Sequence, residues 1–385
     1  MIRYTVPYIN EAARKNASEC ISDGHIGEGF RWKDESRQFL SRITKVSPDN
    51  ILLTNSATSG LEIVAKYLNL QKGDEIICPD YTFVTTVLPF INNQATPVFC
   101  DIETTNGMAP FDNIKRAVTQ NTKAILLLHY AGVAHPELEE LRIFCRDNNI
   151  VLVEDAAQCI GSYDPLGRHL GTVGDFGVIS FHDTKNVSCG YGGCLFVNRP
   201  DAVNRCWEIM QKGTNRRGFL SGSEKFYSLV ERGSAYEMSA LSASILAGNL
   251  EDLDYINTHR IELSKMYQHY LAPLQSQGHF LPNIFGDNCF GNGHLYFGVL
   301  SQPGLRDNLL QRSKLDGIEL VSHYRSLSRS RLIQSLYPDS GERTGNSACF
   351  ADSIVRFPLH LSLNEADVEN ITNSLTAYLA ETGVR

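Results

Sequence analysis

Between residues 51 and 198 short apolar runs recur at the spacing of strands, and the stretches between them have the length and periodicity of helices. Runs 51–54, 75–78, 97–101, 124–129, 151–154 and 178–181 each read as a buried strand, with 61–70 and 137–148 among the intervening helices. Few folds accommodate this rhythm. Alternating strand and helix builds βαβ units, and these build a largely parallel sheet, so the expected class is α/β. Functional groups in such sheets gather at the carboxyl ends of the strands.

Segment 189–193 reads CGYGG, whose glycines suit a tight turn leading into a further strand at 194–198, with a helix from Asp201. From about Gly248 the rhythm fades, and 253–271 reads as one long helix. A chain of 385 residues exceeds what a single core usually holds. The expected division is a large domain over 1–247 and a smaller C-terminal domain over 248–385.

Composition removes several classes of function. The 35 basic residues are outnumbered by 43 acidic ones and are spread along the chain, so no surface for tracking nucleic acid is expected. No apolar run approaches the roughly 18 residues of a bilayer span, and residues 1–10 lack the pattern of a signal peptide. The chain reads as cytoplasmic, with no membrane partner. Ten scattered cysteines without C-x-x-C or metal-ligand spacing read as reduced thiols, and no metal is expected.

Two strands end in unusual polar groups. In VLVEDAAQ (151–158) an apolar run delivers Asp155 to a strand end, and in VISFHDTKN (178–186) another delivers Lys185. In TNSATSG (54–60) Ser56, Ala57 and Thr58 lie where a strand gives way to a helix, and helix amides with small hydroxyls make an anion site. Ser180 adds a second hydroxyl beside the lysine, and Phe83 could stack on a planar ring. Each has an ordinary reading when taken alone: Ser56 or Thr58 as an N-cap, Phe83 as a core aromatic, Asp155 as a loop cap, Lys185 as a surface charge.

Taken together, a phosphate turn, an acid and a lysine are the parts that pyridoxal 5′-phosphate (PLP) requires. Its aldehyde needs an amine that can condense with it and later move a proton. Its pyridine nitrogen needs an opposite charge to stay protonated, so that the ring can accept electrons.

The segments TNSATSGLE (54–62), PDYTFVTT (79–86), HYAG (129–132), VEDAAQCIG (153–161) and SFHDTKN (180–186) jointly resemble the DegT/DnrJ/StrS family of PLP-dependent sugar aminotransferases. The likeness runs from the N-terminal segment to beyond residue 360. It implies an aspartate-aminotransferase-like fold (fold type I), with a mostly parallel sheet in the large domain and an α+β small domain. It implies a cytoplasmic homodimer with shared active sites. The implied reaction transfers an amino group from glutamate to the C4 keto group of a nucleotide-linked 4-keto-6-deoxy sugar, for surface-glycan synthesis.

Residue by residue, the resemblance makes Lys185 the Schiff-base former, sets Asp155 against the pyridine nitrogen, and brings Gln158 beside the ring hydroxyl. Phe83 would stack on the ring, while Ser56, Ala57, Thr58 and Ser180 would hold the phosphate. His294, in HLYF (294–297), and His323 would meet the substrate, although His294 also reads as a satisfied structural histidine.

The chain departs from the family at two places. Relatives read G-x-N-Y-R-M where this sequence has GSAYEM (233–238), so the phosphate contact made by a partner subunit's asparagine cannot come from the side chain of Ala235. HYRSLS (323–328) replaces H-Y-x-P-L-H, which implies a different substrate preference. Other readings are 3-amination, a silent sensor or binding relative, and an unrelated nucleotide-binding α/β enzyme. The last lacks a G-x-G-x-x-G or P-loop motif after any early strand. Dehydratase relatives carry histidine where this chain has Lys185.

Overall fold

The apolar runs of the first half pair into one seven-stranded sheet in a computed structural model that describes residues 1–287 and 289–381. Its strands are β1 (Ile51–Thr54), β2 (Glu75–Pro79), β3 (Thr96–Cys100), β4 (Thr122–Leu128), β5 (Val151–Asp155), β6 (Phe176–Ser180) and β7 (Gly193–Val197). Each expected strand is present, with its ends displaced by two residues at most. The spatial order is β1-β7-β6-β5-β4-β2-β3. Strands β2 to β6 run parallel, and β7 lies antiparallel between β1 and β6.

Why these strands read as unbroken apolar runs is clear from their two faces. Successive side chains point to opposite sides of a strand. In β4, Ala124 and Leu126 enter one core while Ile125 and Leu127 enter the other. In β7, Leu195 and Val197 face the first of these cores, and Cys194 and Phe196 face the second. A sheet covered on both sides has no solvent face, so the alternation of polar and apolar residues disappears.

The C-terminal part carries a second, two-stranded antiparallel sheet of β8 (Tyr296–Val299) and β9 (Ile354–Phe357). The long helix runs over Leu253–Ser276, five residues past the expected end. Positions 247 and 248 fall inside the helix Ala240–Leu250, and one core cluster continues from Leu246 through Leu253 to Phe357. No helix among the described residues is long and apolar enough to cross a membrane.

One buried carboxylate fixes the sheet edge that matters for function. Glu154 is fully buried and accepts hydrogen bonds from the amides of Gly171 (2.9 Å), Val173 (2.7 Å) and Gly174 (2.6 Å). It also accepts one from His129 Nε2 at 2.8 Å. His129 Nδ1 accepts the amide of His135 at 3.0 Å, which leaves the ring proton on Nε2, where Glu154 needs a donor. Burial would raise the pKa of Glu154, but the bonds from His129 and from the Gly174 and Gly171 amides outweigh it and hold the carboxyl below its ordinary range. The histidine of HYAG is therefore a structural clamp on the loop between β5 and β6.

Replacing Glu154 by alanine should strand three backbone amides and an imidazole. The expected loss is about 3–5 kcal/mol in urea unfolding, against less than about 0.5 kcal/mol for the exposed Glu140→Ala control.

Candidate active site

Three strand ends and one helix terminus converge at the carboxyl edge of the parallel strands. After β1 the chain turns through Asn55 and Ser56 into the helix Ala57–Tyr67. Ser56 is extended (φ −168°, ψ 163°), and its hydroxyl accepts the Ser59 amide at 3.1 Å. The N-cap reading of Ser56 is thus realised. The amides of Ala57 and Thr58 meet no acceptor among the described residues, as expected of a first helical turn. Gly193, at the start of β7, approaches this turn so closely that a Cβ there would lie 2.4 Å from the Ala57 nitrogen. Only glycine permits that approach.

Asp155 ends β5 and is buried. Its Oδ2 accepts the Thr86 hydroxyl at 2.6 Å, and its Oδ1 accepts the Ala157 amide at 3.2 Å. Gln158 follows, with Oε1 accepting the Ala131 amide at 2.7 Å and Nε2 donating to the Tyr324 hydroxyl at 2.9 Å. These two bonds fix which way its amide points. Ser180 ends β6 opposite Gly193, and its hydroxyl accepts the His182 amide at 3.4 Å.

Lys185 lies in the turn after β6, its amide donating to the His182 carbonyl at 2.8 Å. Its side chain is half-buried, and no hydrogen-bond or ion-pair partner reaches its Nζ among the described residues. Burial pushes the amine down to about 8; Asp155 opposes that shift and the Arg356 guanidinium reinforces it.

All the residues singled out from the sequence line one cleft of about 460 Å³. Ser56, Ala57, Thr58 and Ser180 are there, as are Asp155, Gln158 and Lys185. Phe83 is 49% exposed and faces Tyr324 with ring centres 5.6 Å apart, so it is no core aromatic. His294 is buried, and its Nδ1 lies 3.0 Å from Asn186 Oδ1. The Asn186 amide donates to Asn257 (2.8 Å) and to the Asn292 carbonyl (2.9 Å), so its oxygen must face His294 and the ring proton must sit on Nδ1. Burial, then the charge of Lys185, holds His294 well below the ordinary histidine range. It offers the cleft an unprotonated Nε2. His323 stands at the rim, its ring 6.2 Å from that of Tyr4 and its pKa lowered by burial and by Arg356.

The sequence reading missed Tyr4, Thr85, Tyr191, Tyr324 and Arg356, which line the same cleft. Of these only Arg356 had a local signal, a charge inside the apolar strand IVRF. Where relatives carry asparagine and arginine, this chain ties the segment to itself. The carbonyls of Ala235 and Tyr236 accept from Asn55 at 3.3 and 2.8 Å, and Glu237 pairs with the buried Lys33 at 3.1 Å.

Comparison with known proteins gives the chain a family. Residues 8–376 match the model of the DegT/DnrJ/EryC1/StrS aminotransferase family. The dTDP-4-dehydro-2,3,6-trideoxy-D-glucose 4-aminotransferase of Saccharopolyspora spinosa is 27% identical over 381 residues, covering 97% of this chain and 95% of its own. Among solved structures, the aminotransferase TlmJ from Streptoalloteichus hindustanus superposes with a TM-score of 0.89 at 25% identity over the whole of both chains. NtdA from Bacillus subtilis, solved with bound cofactor PMP, gives 0.84 at 23% identity, covering 98% of this chain and 86% of its own.

Competitive acylation of the cofactor-free protein, read by peptide mass spectrometry across pH, should show Lys185 gaining reactivity through about pH 8. An ordinary lysine gains it near about 10.4. A Lys185 profile centred at the ordinary value would contradict the burial account.

Proposed function

The chain belongs to the DegT/DnrJ/EryC1/StrS aminotransferase family, whose members are PLP-dependent enzymes of fold type I, and from that premise we propose that it aminates a nucleotide-linked keto sugar. In this reading glutamate is the donor, and the acceptor is the C4 keto group of a 4-keto-6-deoxy sugar of the dTDP-linked kind, made for surface glycans in the cytoplasm. The observation that carries it is a single amine without a partner among the described residues, Lys185, in one cleft with the Asp155 carboxylate and an open helix N-terminus.

The donor set fits the cofactor. The free amides of Ala57 and Thr58, with the hydroxyls of Ser56 and Ser180, suit a phosphate, and the space left by the missing side chain of Gly193 keeps that turn accessible. Asp155, held by Thr86 and the Ala157 amide, suits a protonated ring nitrogen. Gln158 suits the ring hydroxyl, and the exposed face of Phe83 suits stacking. When bound, PLP supplies a carbonyl carbon that takes up an amine and a ring that accepts the electron pair left by a lost proton.

The protein's own contribution is proton handling and orientation. With its pKa near 8, Lys185 has a usable fraction of free amine at neutral pH: it would hold the cofactor's carbonyl carbon, be released as the amine of an incoming amino acid takes its place there, and only then, as a free amine, take a proton from that amino acid's α carbon. His294, protonated on Nδ1 alone, can accept a hydrogen bond from a sugar hydroxyl through Nε2. The C4 choice draws support from the 4-aminotransferase of Saccharopolyspora spinosa and from SFHDTKN. HYAG, SFHDTKN and KGTNR (212–216) add a nearer likeness to dTDP-4-amino-4,6-dideoxygalactose transaminases. A homodimer with shared sites belongs to the same reading, because Tyr191, Phe226 and Leu229 leave 72%, 70% and 76% of their surfaces exposed.

Incubation with dTDP-4-keto-6-deoxyglucose and glutamate should yield a 4-amino sugar identifiable by mass and NMR. Lys185→Ala should reduce turnover by at least about 10⁴-fold, and a fully active variant would refute the assignment.

A further inference from the structure

We propose that Asp80, a buried carboxylate outside the cleft, is a positioning residue that holds Gln158 in place by way of Tyr324. This rests on the aminotransferase reading above, in which Gln158 faces the ring hydroxyl of the cofactor, and adds a residue to it.

Asp80 follows the last residue of β2, has no exposed surface and lies outside the cleft lining. Among the described residues no lysine, arginine or histidine comes within ion-pair distance of it, and one segment of the C-terminal part meets its charge instead. Its Oδ1 accepts the Ser328 amide at 2.6 Å. Its Oδ2 accepts the Ser326 hydroxyl and, at 3.1 Å, the Ser328 hydroxyl. The Asp80 carbonyl takes the Leu327 amide at 2.9 Å. Ser326, Leu327 and Ser328 are themselves buried. Burial raises the pKa of Asp80, and the bonds from Ser326 and Ser328 draw it back. A buried carboxylate without a cation is tolerated only where its donors stand, so residues 326–328 cannot slide without leaving that charge unpaired.

The next residue grips the other end of the same segment. Tyr81, also fully buried, donates its hydroxyl to the His323 carbonyl and accepts the Tyr324 amide at 2.8 Å. Residues 323–328 are thus held at both ends, and Tyr324 reaches the cleft from between the two holds. There its hydroxyl accepts Nε2 of Gln158 at 2.9 Å, while Oε1 of Gln158 takes the Ala131 amide at 2.7 Å. The Ala131 bond settles which end of the amide is the oxygen. The Tyr324 bond takes one of the two Nε2 hydrogens and so sets where the other points. That second hydrogen is the one Gln158 can offer a ring hydroxyl.

Asp101, which follows β3, makes a similar set of bonds with a different reach. Its Oδ1 accepts the amide and the hydroxyl of Ser347, both at 2.7 Å, and its Oδ2 accepts the Asn346 amide at 2.9 Å. These residues open the helix Gly345–Ser353, no residue of which lines the cleft. Asp101 therefore ties the C-terminal part to the sheet without bonding to residues 323–328.

The test titrates the full-length protein with pyridoxamine 5′-phosphate, which binds without a covalent link, and reads the affinity calorimetrically. Asp80→Ala and Tyr324→Phe should each weaken binding by roughly 5-fold, the worth of one hydrogen bond. The double variant should lie within about twofold of the weaker single one, because both changes break the same connection. Asp80→Asn should stay within about twofold of wild type, since its oxygen can accept the Ser328 amide and its NH2 can donate to the serine hydroxyls. Asp101→Ala, which removes a comparable set of bonds, should also stay within about twofold. Wild-type affinity in Asp80→Ala or in Tyr324→Phe overturns the proposal. So do losses that multiply in the double variant, or an Asp101→Ala loss as large as that of Asp80→Ala, either of which would make Asp80 merely structural. If Asp80→Ala loses its fold by circular dichroism, Ser326→Ala, which removes one hydroxyl and leaves the carboxylate, enters the same cycle in its place. A wild type that does not bind pyridoxamine 5′-phosphate removes the aminotransferase reading itself, a distinct outcome from a wild type that binds it with variants that bind equally well.

Discussion

An amine can attack a carbonyl only when it is unprotonated, and a lysine in water at neutral pH almost never is. The active cleft is organised around relieving that constraint at one position. Lys185 is half-buried, which disfavours its charge, while the carboxylate of Asp155 pulls the other way, and the balance settles near pH 8. That balance depends on strand register. Asp155 lies opposite Leu128 on β4 and Val178 on β6, and the chain leaving β6 reaches Lys185 through one hydrogen-bonded turn. Behind it, the clamp of Glu154 on Gly171, Val173 and Gly174 keeps the loop from β5 to β6 from shifting the carboxylate.

The parts closest together in the chain were the most legible from sequence. Strands buried on both faces announce themselves as apolar runs, and a charge at the end of such a run is conspicuous, so Asp155 and Lys185 could be found without coordinates. Direction was not legible. Side-chain periodicity is the same for a parallel and an antiparallel strand, and nothing in GCLFV marks β7 as the strand that runs against its neighbours. The far wall was also hidden. Tyr4, Tyr324 and Arg356 come from opposite ends of the sequence; the two tyrosines read locally as ordinary aromatics, and the charge of Arg356 inside IVRF does not say which cleft it faces. His129 shows the converse: it belongs to a conspicuous motif to which no role was assigned, and its two ring nitrogens are spent on Glu154 and His135.

Two buried histidines, His129 and His294, illustrate how a tautomer is imposed by neighbours. In His129 a backbone amide occupies Nδ1, so Nε2 must donate; in His294 the oxygen of Asn186 occupies Nδ1, so Nε2 must accept. The same chemistry therefore yields a fixed scaffold contact in one case and an open acceptor in the other. The asparagine that makes the difference is itself oriented by Asn257 on the long helix and by the Asn292 carbonyl. A group that faces the cleft is thus set by side chains that lie outside its lining.

The order of these parts along the chain has a consequence for biosynthesis. Every group assigned to the cofactor lies between Ser56 and Gly193, within the segment that completes the seven-stranded sheet by Val197. The groups assigned to the incoming molecule, His294 and His323, come much later. On a ribosome, where chains emerge amino end first and domains fold as they appear, the seat for a reactive aldehyde takes shape well before the wall that decides which amines may approach it.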